Sequence, residues 1–189
     1  MKKLCFLSAM ILSLTLFQAC SSNGNGSKQK ADSINHANEP MSKKATSDFL
    51  VEAAIINMNE IKLGSIAQKQ AANPRVKDFA AMIVHDHQKV NKKLKTLAQK
   101  KQVKLPDSLN QEHQSKASKL KEKKGNDFDE AFVKDMVKGH KDAINTFQKA
   151  KRNVDDGDVR SFIEKTLPGL QKHLDSAETI QYALKGRSQ

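Results

Sequence analysis

Four segments of the chain carry apolar residues in alternating steps of three and four, the signature of amphipathic helices. The first stripe runs Phe49, Ala53, Ile56, Glu60, Leu63 and Ala67, and stops at Asn73-Pro74, where the proline suits the first turn of a following helix. The second runs Val76, Ala80, Ile83, His87, Val90, Leu94 and Leu97 and fades before Leu105-Pro106. The third follows Gly125-Asn126-Asp127, which has the composition of a cap, and runs Phe128, Phe132, Met136, His140, Ala143, Phe147 and Ala150. After the turn-forming residues Asp155 to Asp158, the fourth runs Val159, Ile163, Thr166, Leu170, His173, Ala177, Ile180 and Leu184. Pro168 lies inside it and predicts a kink.

A weaker stripe, Leu109, His113, Ala117 and Leu120, occupies the long connection 103–126 and predicts a short helix folded over one end. Short connections after the first and third helices imply antiparallel hairpins. The expected fold is therefore all-α: an antiparallel four-helix bundle over residues 46–185, with a short extra helix between helices 2 and 3 and a frayed tail at 186–189.

Ahead of the bundle the pattern changes twice. Residues 1–19 place Lys2 and Lys3 before an apolar run from Leu4 to Phe17, with Ala19 preceding Cys20, and read as a secretory signal too short to remain as a membrane span. Phe17-Gln18-Ala19-Cys20 resembles a bacterial lipoprotein signal, in which lipid is attached to the cysteine; the other possibility is a plain secretory signal with Cys20 incidental. From Cys20 to residue 45 the chain is rich in Ser, Asn, Gly and Lys without periodic apolar positions, and reads as a flexible tether. The expected location is the bacterial cell envelope, lipid-anchored through Cys20, at the outer membrane facing the periplasm.

With Cys5 lost in the signal and Cys20 lipidated, no free thiol remains. Disulfides, thiolate metal sites, c-type haem and cysteine nucleophiles are thereby excluded. The formal charge of +12 on 189 residues invites a nucleic-acid partner, but two features weigh against it. Lysine is dispersed over all four stripes and far outnumbers arginine, the usual reader of base edges. The six phenylalanines beyond the signal, Phe49, Phe79, Phe128, Phe132, Phe147 and Phe162, fall on or beside the stripes and belong to the core. The basic excess fits a solvated surface, able to meet anionic lipid, polysaccharide or an envelope protein. No Gly-rich phosphate loop, Ser-His-Asp order or His-Glu-x-x-His run is present, so neither a nucleotide nor a catalytic nucleophile is expected.

One ionisable residue interrupts each stripe: Glu60, His87, His140 and His173. Such groups cost desolvation energy unless paired, hydrogen-bonded or coordinated. Glu60 and His87 lie about 13 residues either side of the first hairpin turn, and His140 and His173 about 16 and 17 residues either side of the second. At ~1.5 Å per residue each pair is level. Three imidazoles and a carboxylate in one layer suit Zn, Cu, Fe or Ni better than Ca or Mg. A buried polar network that only fixes helix register explains the same residues. His85 points about 200° away from His87 and reads as a surface residue. Asp86 reads as a partner of the layer or a solvated carboxylate, and His113 as a boundary histidine or a cover for the bundle end.

The segments NEIKLGSIAQKQAANPRVKDFAAMIVHDHQKVNKKLKTLA, FDEAFVKDMVKGHKDAINTFQKA and FIEKTLPGLQKHLDSA together resemble the bacterial exported family called domain of unknown function 4142, over about residues 47–183. The resemblance implies a ferritin-like four-helix bundle and an envelope setting, with the family's Glu and His positions falling on Glu60, His87, His140 and His173. Ferritin-like di-iron centres take Glu-x-x-His from each of two helices. Here Leu63 follows Glu60 by three, Val84 precedes His87 by three, and no Glu-x-x-His occurs, which argues against a di-iron oxidase, peroxidase or ferritin-type store. Two functions follow as expectations: an envelope protein binding a transition metal through Glu60, His87, His140 and His173, or a non-catalytic envelope interaction or stress protein whose polar layer is structural.

Overall fold

The computed structural model describes residues 26–37 and 41–186. The signal at 1–19, Cys20 and tail residues 187–189 lie outside them. Among the described residues the chain forms helices α1 (Gly26–His36), α2 (Met41–Gln70), α3 (Pro74–Lys100), α4 (Gln111–Glu122), α5 (Gly125–Asn153) and α6 (Gly157–Lys185), and no strand. The four stripes thus become α2, α3, α5 and α6, each within a few residues of its expected bounds.

The α2–α3 connection is tight because Asn73 caps α3 through its side chain, accepting from the Arg75 amide at 2.9 Å, with Pro74 in the first turn. A buried carboxylate from α5 secures the same corner. Asp129 accepts from the backbone amides of Ala72, at 3.1 Å, and Asn73, at 2.7 Å. At the opposite end, Lys101 after α3 pairs with Asp156 and Asp158 at the α5–α6 turn. The two hairpin turns therefore sit at opposite ends of the bundle. Helix α5 runs antiparallel to α2, and the connection through α4 spans the height of the bundle, an arrangement with one long crossover.

That crossover corrects one expectation: α4 lies along the side of α2 and α5 rather than over an end. Lys116 of α4 pairs with Asp135 of α5 at 3.1 Å, and the Gln70 side chain of α2 donates to the carbonyl of Lys121 at 2.9 Å. The start of α5 also differs from the cap expected at Gly125-Asn126-Asp127. The helix begins at Gly125, and Lys124 occupies the cap position without a side-chain hydrogen bond.

The segment expected to be an aperiodic tether contains α1 and the first turn of α2. Its order comes from polar contacts that periodicity does not register. Asn35 is buried and bonds both ways to the Lys104 backbone, Nδ2 to the carbonyl at 2.9 Å and Oδ1 from the amide at 2.8 Å. Ser27 donates to Asp107 at 2.7 Å and Lys28 pairs with Glu52 at 2.9 Å. Ala31 adds a small apolar contact near Val51, Ile55 and Leu109.

Inside the bundle, phenylalanines form two clusters. Phe79, Phe128 and Phe132 gather toward the α2–α3 turn, and Phe49, Phe147 and Phe162 toward the other end, with Phe49 and Phe147 edge to face at 5.0 Å. Each buried phenylalanine contributes on the order of 1.5–3 kcal/mol of transfer free energy. Between the clusters lies a layer that is not apolar, and the candidate site is built there.

Candidate metal centre

Helices α3, α5 and α6 each place one histidine in the mid-bundle layer: His87, His140 and His173, all under 5% exposed. Each follows the helical spacing of its own stripe, so the folding of the apolar faces brings the rings inward. Ring centroids stand 5.7 Å apart for His87 and His140, 5.4 Å for His87 and His173, and 5.3 Å for His140 and His173. One nitrogen from each of the three lies within 4.8 Å of the others.

The outward nitrogens have oxygen partners, and these fix the tautomers. Nδ1 of His140 lies 2.9 Å from the Met136 carbonyl, which can only accept, so that nitrogen carries the proton. Nδ1 of His87 lies 3.0 Å from Oδ1 of Asn57, and Nε2 of His173 lies 3.2 Å from the Asp86 carboxylate. The nitrogens left over are Nε2 of His87, Nε2 of His140 and Nδ1 of His173, and each retains a lone pair. Nε2 of His87 is buried without any hydrogen-bond partner, and Nε2 of His140 stands 3.3 Å from Nδ1 of His173. Nitrogens bound at ~2.0–2.1 Å to a tetrahedral ion stand roughly 3.3 Å apart. An oxygen acceptor behind each imidazole is also the arrangement that orients histidine ligands.

Burial keeps these rings neutral. Desolvation holds His87 well below the ordinary imidazole range, with His140 and His173 adding to the effect. Desolvation lowers His140 to about 4, partly opposed by its bond to Met136. His173 is also lowered by desolvation, and Asp86 pushes it back up. Neutral imidazole is the form that binds a metal ion.

Glu60, expected as the fourth ligand, does not join the three histidines. It is buried in the same region, but its carboxyl faces α5 at Gly139, where a Cβ would stand only 2.7 Å from Oε1. Oε2 has no hydrogen-bond partner, and burial pushes the carboxyl up to about 8. The reason is helical register. On α2 it is Asn57, one turn before Glu60, that meets His87, while Glu60 fills the space left by the missing side chain at Gly139. Sequence reading passed over Asn57 because Ile56 satisfied the apolar stripe; its spacing of four from Ala53 and three from Glu60 is the signal that could have found it.

Asp86 does contact the layer, through His173. His85 is exposed, as its angular offset requires. His113 takes no part in the centre: at the start of α4 its amide and Nδ1 both meet the capping oxygen of Asn110.

A cavity of about 230 Å³ between α3 and α6 reaches the layer from solvent. His87 and His173 form part of its lining, Val90, Phe162 and Leu170 supply apolar walls, and Lys89, Lys93 and Lys165 line it as exposed residues.

Residues 31–180 match the family described as "Domain of unknown function (DUF4142)". No curated protein matches the sequence significantly. Among solved structures, the fold is similar to a DUF305 fragment from Deinococcus radiodurans, with 10% identity and a TM-score of 0.66 over 74% of this chain and 96% of that one. It is also similar to CopM in its Cu(II)-bound form, with 18% identity and a TM-score of 0.62 over 72% of this chain and 95% of that one. CopM in its Ag-bound form matches with 17% identity and a TM-score of 0.61, with the same coverage. At these identities the likeness is one of fold.

Proposed function

The chain belongs to the family described as domain of unknown function DUF4142, and on that footing we propose that it binds one transition-metal ion in the bundle through His87, His140 and His173. The observation that carries this is the convergence of three neutral imidazole nitrogens within 4.8 Å, each ring held from behind by an oxygen. Three nitrogen ligands suit Zn, Cu, Ni or Fe, and leave one coordination position to a further ligand. The similarity of fold to CopM, solved with copper and with silver, is consistent with a soft or borderline ion. The role this supports is binding, for sensing, buffering or support.

Elemental analysis of protein purified without chelator or immobilised nickel, joined to melting curves with Cu, Zn, Ni and Fe, tests this. Binding predicts up to one ion per chain and a rise in melting temperature that His140→Ala abolishes. Unchanged melting with all four ions overturns it. The proposal also sets the domain in the bacterial envelope on a lipid at Cys20, supported by the signal in residues 1–20. Cys20→Ser should then release the protein from membrane fractions, and retention there would count against the anchor.

A further inference from the structure

We infer that the fourth coordination position of the proposed metal faces the α3–α6 cavity and takes a small inorganic anion delivered through it. This rests on the three-histidine metal reading and adds the identity of the missing ligand. Two of the three proposed ligands, His87 and His173, form part of the cavity lining, with Nε2 of His87 buried just beneath it. At about 230 Å³ it has room for roughly seven waters at ~30 Å³ each, enough for a small anion and its hydration, and excludes a macromolecule. Its walls of Val90, Phe162 and Leu170 offer no ligand atoms, and its polar partners are the histidine floor, the Thr166 hydroxyl, Asp86 and the lysine rim.

The charge of the cavity selects the ligand's sign. Lys89, Lys93 and Lys165 line it, against one carboxylate, Asp86, which is engaged with His173. A cleft with low-dielectric walls and one sign of charge concentrates ions of the opposite sign. A monoanion gains from the rim and then from the metal. Thr166 and Gly169 of α6 also line the cavity, beside Pro168, whose missing amide cannot donate to the Glu164 carbonyl. Thr166 and Gly169 thus leave one stretch of the α6 wall with short side chains, between the larger Phe162 and Lys165 on one side and Leu170 on the other.

The test uses the full mature chain loaded with Cu(II), with stoichiometry fixed by elemental analysis, and sodium azide as probe. Azide should produce a ligand-to-metal charge-transfer band and alter the copper electron paramagnetic resonance spectrum. The triple variant Lys89→Gln, Lys93→Gln, Lys165→Gln should keep its metal and bind azide more weakly by on the order of tenfold. Raising ionic strength should weaken azide binding to wild type more than to the variant. Gly169→Leu, which fills the α6 wall, should block azide while leaving metal stoichiometry unchanged. If copper binds and azide leaves both spectra unaltered, or if the triple variant binds azide as tightly as wild type, the anion position is overturned and the metal site stands. If no metal binds, both fall.

Discussion

Nε2 of His140 stands 3.3 Å from Nδ1 of His173, and both nitrogens are left with lone pairs by the oxygen partners of their rings. Two lone pairs at that separation repel unless a proton or cation lies between them. A bound ion relieves the repulsion, so His140→Ala and His173→Ala should each abolish metal-dependent stabilisation. The metal-free proteins should stay folded, with helical circular dichroism like wild type. A variant that still gains several degrees on metal addition would show that the ligands lie elsewhere.

Asn57 holds His87 by accepting from Nδ1, and that bond leaves Nε2 as the donor to metal. Asn57→Leu removes the acceptor and frees the tautomer. Metal affinity should fall about 10- to 100-fold, the usual cost of losing an oxygen behind a histidine ligand. Asn57→Asp keeps an acceptor and should retain affinity. Competition against a chromogenic chelator measures both, and equal affinities for wild type and Asn57→Leu would remove Asn57 from the site.

Glu60 predicts a pH dependence of stability whose sign can be separated from that of the histidines. Its folded carboxyl is raised to about 8 from an ordinary 4.5, so the folded state holds a proton that the unfolded chain releases. Stability from this group is full below pH 4.5 and is lost as pH rises through about 8. The histidines act oppositely, because imidazoles lowered from 6.5 make the folded state lose stability as pH falls below 6.5. Between about pH 7.5 and 8.5 the imidazoles of the unfolded chain are nearly all deprotonated as well, so Glu60 sets the slope among these groups, at most about 1.4 kcal/mol per pH unit. Urea titrations of metal-free protein should show wild type weakening across that window and Glu60→Gln level. Parallel curves for the two proteins would mean that Glu60 is not buried as an acid.

The four stripes carried most of the fold because helical periodicity reports directly on which face is buried. Heights counted from the two hairpin turns also placed His87, His140 and His173 in one layer, even though those turns lie at opposite ends. Mid-bundle residues are nearly level from either end, so the estimate did not depend on which end each turn occupies. Glu60 exposed its limit: counting along an axis fixes height but not the direction in which a side chain leaves its helix. A difference of one turn, from Asn57 to Glu60, changed the neighbour from His87 to Gly139. Helix α1 was illegible because Asn35 and Ser27 hold it through polar bonds, and a single polar residue leaves no periodic trace.

Asp129 was equally hidden, as one acidic residue near a helix start, yet it joins α5 to the α2–α3 corner through two backbone amides. Asp129→Ala leaves both amides without their buried acceptor. The expected loss is about 2–3 kcal/mol, seen as a lower denaturation midpoint at unchanged m-value. Metal stoichiometry should not change, since the corner is remote from the histidine layer. A loss below about 0.5 kcal/mol would mean that water replaces the carboxylate at no cost.

Gln102 ends α3 in the left-handed region, at φ 58°, where glycine is the usual residue. The helix closes around it: the Val103 amide donates to the Ala98 carbonyl at 2.9 Å, and the Gln102 amide to the Gln99 carbonyl at 3.1 Å. A side chain in this conformation costs roughly 1–2 kcal/mol, part of which glycine returns through the greater freedom of its unfolded chain. Gln102 is exposed and no side-chain bond offsets the strain. Gln102→Gly should therefore stabilise the protein by about 0.5–1 kcal/mol, a rise of roughly 2–4 °C in melting temperature for a domain of this size. Gln102→Ala is the control, because it removes the same side chain but keeps the Cβ that creates the strain. Equal gains from both substitutions would assign the effect to the lost side chain, and no gain from glycine would show that α3 ends in another conformation in solution.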